Sequence, residues 1–440
     1  MLAIARSRSI QIAARRGAAL ALGAFAVAAT PSRHPAPSCA KDNAGLTLPD
    51  GFCAAVFAQD LGPARHLAVA PNGDVFANIS DKNVAGMRDT TGDGVADLVR
   101  HFGKDGGTGI ALTDGFLYYA TDDAVYRYPW RAGQLEPTSP RETVVSGLPH
   151  GGDHNAKSIA IGPGDALYVN VGSATNSCQV ANRQSHSPGK DPCTELETRA
   201  GIWRFSASKP GQTFGDGERF ATGLRNTVAL AIQPGTGALY GAMMGRDQLT
   251  QNWGVPAKKG AENPGEELVR IEKGDNFGWP YCYYDVDLHH LVLAPEYGGD
   301  GTRVGRCAEF KEPLIAFPGH WAPLAIAFST PATARQFGSA YRDGLFIAFH
   351  GSWNRAPLPQ AGYRVSWVPF RSGKPTGKYS TFAIGSAGPT WLRASGVAVG
   401  PDGALYVASD GKGMIWRIVN ASAPPAEEAR AGEGATRAPQ

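Results

Sequence analysis

The chain has 440 residues, 42% hydrophobic and 18% charged, with a formal net charge of +3. So small a charge, with no long basic run, leaves no electrostatic footprint for nucleic acid. The 56 glycines and 32 prolines come with too many apolar residues for a disordered chain, and indicate a turn-rich globular protein.

From the N-terminus, Arg6, Arg8, Arg15 and Arg16 precede an uncharged, Ala/Leu-rich stretch from Gly17 to Thr30. This is the pattern of an export signal peptide, expected over residues 1–30, and it is too short to span a bilayer. No later stretch reaches spanning length. The expectation is therefore a periplasmic or secreted protein with no membrane span.

Beyond it, an apolar strand, a Gly/Pro/Asp turn and a second apolar strand recur. The copies are LAVAPNGDVFANI (67–79), IALTDGFLYYAT (110–121), SIAIGPGDALYVNV (158–171), ALAIQPGTGALYGAM (229–243) and GVAVGPDGALYVAS (396–409). A sixth, LAIAF (324–328) with LFIAF (345–349), is split by an insertion. A recurring hairpin cannot bury its own apolar face and must stack on its neighbours. The turn markers Pro71, Asp114, Pro163, Pro234, Asp343 and Pro401 are unevenly spaced, which a propeller tolerates and a solenoid does not. Residues 31–420 are expected to form an all-β, six-bladed β-propeller of four-stranded blades around a central axis. Residues 421–440, Ala/Pro/Glu-rich with no apolar face, are expected to be a disordered tail.

Cys39, Cys53, Cys178, Cys193, Cys282 and Cys307 are an even set in an exported chain, which favours disulfides. The expected pairing is local: Cys39–Cys53, Cys178–Cys193 and Cys282–Cys307. No pair has the close spacing of zinc ligands.

The chain has no G-x-S-x-G elbow, H-E-x-x-H helix, Walker loop or strand-linked G-x-G-x-x-G, so serine-hydrolase, ATP and NAD chemistries find no support. In chain order, the first polar constellation is DTTGDGVAD (89–97). Asp89, Thr91, Asp93 and Asp97 follow EF-hand-like spacing with Gly94 at the turn, but Arg100 stands where the bidentate Glu belongs. A complete EF-hand is excluded; a partial calcium loop and a plain Asx-turn both remain open. In LPHGGDHNAKSIAIGP (148–163), His154 sits on a Gly-rich loop before a strand, suited to taking a proton from a hydroxyl. GLRN (223–226) offers the fork of Arg225 and the amide of Asn226. Beyond MMGRDQL (243–249), Asp247, Glu266 and Glu267 are hard oxygen donors of the kind calcium takes.

DHNAKSIAIGPGDALYV, GLRN, GRDQL with EELVRIEKGDNFGWPYC, and ASGVAVGPDGALYVASD together resemble the glucose/sorbosone dehydrogenase family, over roughly residues 50–418. The likeness is stronger to its sorbosone-dehydrogenase-like branch. These are exported six-bladed propellers that use pyrroloquinoline quinone (PQQ) and calcium. The resemblance implies His154 as catalytic base and Arg225, Asn226, Arg393 and Lys157 as cofactor contacts. It implies calcium at the backbone carbonyls of Gly245 and Arg246, with Asp247 beside them. Two positions depart from the glucose dehydrogenases: Ser173 stands where an Asp orients the base, and HGSWNR (350–355) replaces a lysine-bearing segment. The implied activity is oxidation of a sugar or sugar-derived aldehyde, with hydride passing to PQQ and electrons to a separate quinone or cytochrome acceptor. A calcium-dependent propeller lactonase and a non-catalytic carbohydrate-binding propeller are the alternatives, because fold does not dictate function.

Overall fold

The computed structural model describes residues 39–388 and 390–422. The expected signal peptide, and the expected tail from residue 423 onward, lie outside them.

Each repeated hairpin forms the two inner strands of a four-stranded antiparallel blade, and the chain makes six blades. Blade 1 comprises Ala64–Val69, Val75–Ile79, Asn83–Arg88 and Leu98–Phe102; blade 2 comprises Ile110–Thr113, Phe116–Ala120, Val125–Pro129 and Glu142–Ser146. Blade 3 is built from Ile159–Gly162, Ala166–Val171, Gly201–Ser206 and Glu218–Thr222. Blade 4 is built from Ala229–Ile232, Leu239–Met243, Glu266–Ile271 and Ile315–Phe317. Blade 5 contains the split copy, Pro323–Phe328 with Gly344–Phe349, followed by Arg364–Arg371 and Ser380–Gly385. The turn of the third copy shows why the repeat needs its residues: Gly164 and Asp165 are both left-handed, at φ 65° and 64°. Gly and Asp adopt that conformation at least cost.

Blade 6 is a composite. Its inner strands, Ala394–Val399 and Leu405–Ser409, are followed by Met414–Asn420, which pairs antiparallel with the early strand Phe52–Ala58. The first long strand of the chain thus completes the last blade as its outer strand and fastens the two ends of the propeller together. The innermost strands of neighbouring blades contact one another in a closed ring.

The core lies between blades. Six apolar clusters occupy the six blade–blade interfaces, such as Phe346, Trp367 and Phe382 of blade 5 against Val407 and Trp416 of blade 6. Successive side chains on a strand point to opposite faces, so Phe346 packs toward blade 6 while Leu345 and Ile347 pack toward blade 4. A strand buried on both faces must be apolar throughout, which is why LFIAF shows no polar alternation and is wholly buried.

The disulfides Cys39–Cys53, Cys178–Cys193 and Cys282–Cys307 pair as expected. The second closes a long excursion after the second strand of blade 3. The third fastens an extra hairpin, Cys282–Asp285 with His290–Leu293, inserted in blade 4.

Candidate functional site

Because an inner strand and its neighbour run antiparallel, the segment before the first and the segment after the second lie at the same end of a blade. Those segments carry the polar residues. Arg65, His154, Lys157, Arg225, Asn226, His320 and Arg393 precede or begin inner strands. Ser173, Arg183, Gly245, Asp247, His350, Asn354 and Asp410 follow second strands. One axial face therefore gathers residues from most of the blades.

His154 is 9% exposed, and its Nδ1 lies 3.0 Å from the Ser173 carbonyl and 2.9 Å from Ser173 Oγ. A carbonyl only accepts, so Nδ1 carries the ring proton and Nε2 keeps its lone pair. Among the described residues Nε2 has no hydrogen-bond partner. Burial, followed by the charge of Arg225, lowers the His154 pKa to about 3, so the ring is neutral in ordinary buffers. Gly172 lets this base meet Asn226: a Cβ there would fall 2.6 Å from His154 Cβ and 3.1 Å from Asn226 Oδ1. Ser173, the departure noted in sequence, orients the imidazole through its carbonyl and its hydroxyl alike.

Arg225 is 3% exposed and engages four of its five N–H groups. Nε donates to Asn176 O (3.0 Å), Nη1 to Gly245 O (2.8 Å), and Nη2 to Asn176 Oδ1 (2.9 Å) and Asp247 Oδ2 (3.0 Å). Asp247 also accepts from Arg183 Nη2 at 3.2 Å and from Asn354 Nδ2 at 2.8 Å, and its Oδ1 lies 3.6 Å from His320 Nδ1. Burial opposes a charge on Asp247, but Arg225, His320 and Arg183 outweigh it and hold the carboxyl well below the usual range. Burial likewise opposes a charge on His320, yet Asp247 raises its pKa. Its other nitrogen, Nε2, lies 2.9 Å from Gly260 O, so both ring nitrogens face acceptors. Asp247 is the anion between the guanidinium groups of Arg225 and Arg183 and the imidazole of His320.

That arrangement supplies no open side-chain shell for calcium. The Gly245 carbonyl already accepts from a guanidinium, and Asp247 is neutralised by cations. The Arg246 side chain pairs with Glu296. Glu266 and Glu267 do not complete a shell either. Glu266 accepts from Gly245 N and Ala322 N, each at 3.0 Å, bridging blades 4 and 5. Glu267, next along the strand, projects to the other face, where its buried Oε2 has no partner. Burial pushes Glu266 up to about 7; burial and then Glu266 push Glu267 up to about 8. Among the described residues no three His, Cys, Asp or Glu are grouped to hold a metal.

A second polar cluster spans blades 5, 6 and 1. His350 Nε2 lies 3.0 Å from both oxygens of Asp410, Arg65 Nη1 pairs with Asp410 at 3.0 Å, and Arg393 Nε reaches Asp410 at 3.5 Å. Arg393 Nε and Nη2 also lie 3.2 and 3.1 Å from His350 Nε2, but the side chain is 49% exposed and its Nη1 is left for a ligand. Lys157 is fully buried with a single acceptor, Asn155 O at 2.5 Å, and burial lowers its pKa to about 8. Asn226 Oδ1 is buried without a partner.

The loop containing Asp89, Thr91, Asp93 and Asp97 joins the third and fourth strands of blade 1, at the opposite end from His154. Asp89 Oδ1 accepts from Thr91 N and Gly92 N, its Oδ2 accepts from Gly94 N, and Asp97 accepts from Thr90. These bonds build the Asx-turn alternative.

The sequence reading missed Arg65, Asn176, Arg183, His320, Asn354 and Asp410. For Asp410 a signal existed: it directly follows the second strand of the copy at 396–409, closely matching the place of Ser173 after the copy at 158–171.

Fold and site together define a six-bladed propeller with a cation-rich axial face and a buried neutral histidine. Residues 46–421 match the family described as TrAA12-like, and the chain belongs to that family. It is 27% identical over 279 residues to a PQQ-dependent sugar dehydrogenase of Hypocrea jecorina, a stretch covering 58% of this chain and 60% of that protein. It is 26% identical over 198 residues to a PQQ-dependent pyranose dehydrogenase of Coprinopsis cinerea, covering 37% of this chain and 26% of that protein. The chain thus spans less than two thirds of the length of these curated relatives. Among solved structures, the Trichoderma reesei enzyme of carbohydrate-active family AA12 superposes with a TM-score of 0.71 at 22% identity, covering 86% of this chain and 98% of that one. The holo PQQ domain of the Coprinopsis cinerea pyranose dehydrogenase gives 0.68 at 20% identity, covering 88% and 98%. These two likenesses bear on the fold.

Proposed function

We propose that this protein oxidises a sugar, or a sugar-derived aldehyde of the aldose or sorbosone type as its hydrate, using PQQ as the primary acceptor. One observation carries the reading: the Ser173 carbonyl fixes the proton on His154 Nδ1 and leaves Nε2 as a base on the cation-rich face. Family membership and the curated relatives support the choice of chemistry.

The residues fit PQQ, a planar tricarboxylate. Arg393 and Arg65 offer guanidinium groups on one side of the face, and Lys157 is a buried ammonium with donors to spare. The unpartnered Asn226 Oδ1 and the free N–H on Arg225 Nη1 supply neutral and charged contacts. Bound there, PQQ supplies the quinone that takes up a hydride, that is, two electrons. His154 Nε2 accepts the proton of the hydroxyl on the carbon being oxidised, which lets that oxygen form the new carbonyl. Burial of His154 and Arg225 keeps water from competing for the base. A tricarboxylate beside Arg225 offsets the cation that depresses His154, so the base gains proton affinity when the cofactor is seated. Calcium enters the reading only by family resemblance, and no step is assigned to it. The electrons pass on to a separate quinone or cytochrome acceptor. Three disulfides accord with the periplasm or exterior as the compartment.

The test is a PQQ titration with and without calcium, read as a cofactor absorbance change and as dye reduction with aldoses. Binding and dye reduction are expected. No binding at micromolar PQQ under either condition overturns the reading, and lactone hydrolysis without PQQ transfers support to a hydrolase.

A further inference from the structure

The segment His350–Arg355 crosses the axial face as a strap. At one end His350 lies against Asp410; at the other Asn354 donates to Asp247. Between them the backbone is pinned: Tyr363 Oη donates to Ser352 O at 2.5 Å and Ser352 Oγ donates to Gln360 at 2.6 Å. Gly351, at φ 100°, sits so close to the Tyr363 ring that a Cβ would fall 2.4 Å from it. Arg355 is buried and donates to Gly319 O at 3.2 Å and to Glu262 at 2.6 Å. Every residue from His350 to Arg355 is thus held except Trp353. Its side chain has no hydrogen bond or ring partner among the described residues. It is 69% exposed, whereas the other eight tryptophans are buried or half-buried.

A lone exposed apolar side chain means little by itself. Here a rigid strap holds an indole in water beside the Asn354–Asp247 contact. Depth separates it from the chemistry, because His154 is 9% and Arg225 3% exposed. An indole presents a flat apolar face that matches the C–H face of a pyranose, and its N–H is free to meet a hydroxyl.

We propose that Trp353 is a specificity-determining residue that stacks on the sugar ring next to the one being oxidised, so that reducing di- and oligosaccharides are preferred substrates. This rests on the sugar-oxidation reading above. On the holoenzyme, Trp353→Ala is expected to raise KM for maltose or cellobiose about fivefold while kcat and the KM for glucose stay unchanged. Trp353→Phe, which keeps a stacking face, is expected to restore most of the loss. Equal effects on glucose and disaccharide, a change confined to kcat, or a change only in the KM of the electron acceptor would each overturn the inference; the last would mark an acceptor-docking surface. Disaccharide-induced change in tryptophan fluorescence, measured without turnover, separates the two readings. If no sugar is oxidised but the signal is present and lost in Trp353→Phe, the function fails and the stacking site stands. Sugar oxidation unaffected at Trp353 sinks the stacking site alone, and absence of both turnover and signal sinks both.

Discussion

The Nδ1 of His154 sits between two oxygens of one residue, 3.0 Å from the Ser173 carbonyl and 2.9 Å from its hydroxyl. That hydroxyl donates its own proton to Thr175 O at 2.6 Å, so both oxygens act as acceptors toward the ring. The tautomer thus rests on the backbone as much as on the side chain. Ser173→Ala is expected to lower kcat/KM by less than about tenfold, because the carbonyl remains. His154→Gln is expected to lower kcat by about 10²–10⁴ with cofactor affinity unchanged. Steady-state kinetics beside a cofactor titration distinguishes the two variants.

Stability should fall toward both ends of the pH scale, for separate reasons. The pKa of His154 is lowered to about 3 and that of His66 to about 4, both chiefly by burial. Below the ordinary histidine value the unfolded chain binds protons that the folded chain refuses, so stability drops as pH falls from about 6.5. Glu266 and Glu267 have the opposite sign: raised to about 7 and about 8, they hold protons in the folded state that the unfolded chain releases. Their contribution is complete below the unfolded carboxyl value and is lost as pH rises toward 8. Glu267→Gln should leave the melting temperature unchanged near pH 4 and raise it by a few degrees near pH 9.

Asp247 neutralises Arg225 and Arg183 and lies beside His320. Asp247→Ala leaves an unpaired guanidinium in the interior and is expected to destabilise the fold by about 3–5 kcal/mol in chemical denaturation. Asp247→Asn keeps an acceptor and should be milder. It should also weaken the base, since the Asp247 charge raises the His154 pKa.

Arg393 is half exposed, lies 3.2 and 3.1 Å from His350 Nε2 through Nε and Nη2, and reaches Asp410 only at 3.5 Å, so it can turn its outer N–H groups toward a ligand carboxylate. Arg393→Ala is expected to weaken PQQ binding about tenfold at low salt and less at high salt, with the melting temperature almost unchanged. Equilibrium binding at two ionic strengths checks it.

Much of this was legible in sequence because it is local. A hairpin's signature lies within some ten residues, and all six copies proved to be the inner strands of blades. The addresses of His154, Arg225, Asn226 and Arg393 followed, since a residue just before an inner strand must emerge on the axial face. The third and fourth strands were less visible. Glu266–Ile271 begins with two carboxylates and carries Arg270, which masks its apolar pattern, and Ile315–Phe317 is only three residues long. The closing strand Phe52–Ala58 carried no mark of its distant partner.

By itself the sequence determined the blade count and the face that bears the polar loops, and it favoured local pairing among the fifteen connectivities open to six cysteines. Each follows from alternation, turn residues or spacing between near neighbours. Only the tertiary structure decided which charges meet. Asn354 reaches Asp247 across a sequence separation of 107 and His350 reaches Asp410 across 60, contacts that exist because neighbouring blades pack side by side. The packing of blade 4 brings Gly245 O and Asp247 against Arg225, and the strap from blade 5 leaves Trp353 exposed. Such pairings depend on the geometry of several blades at once, and no local pattern encodes them.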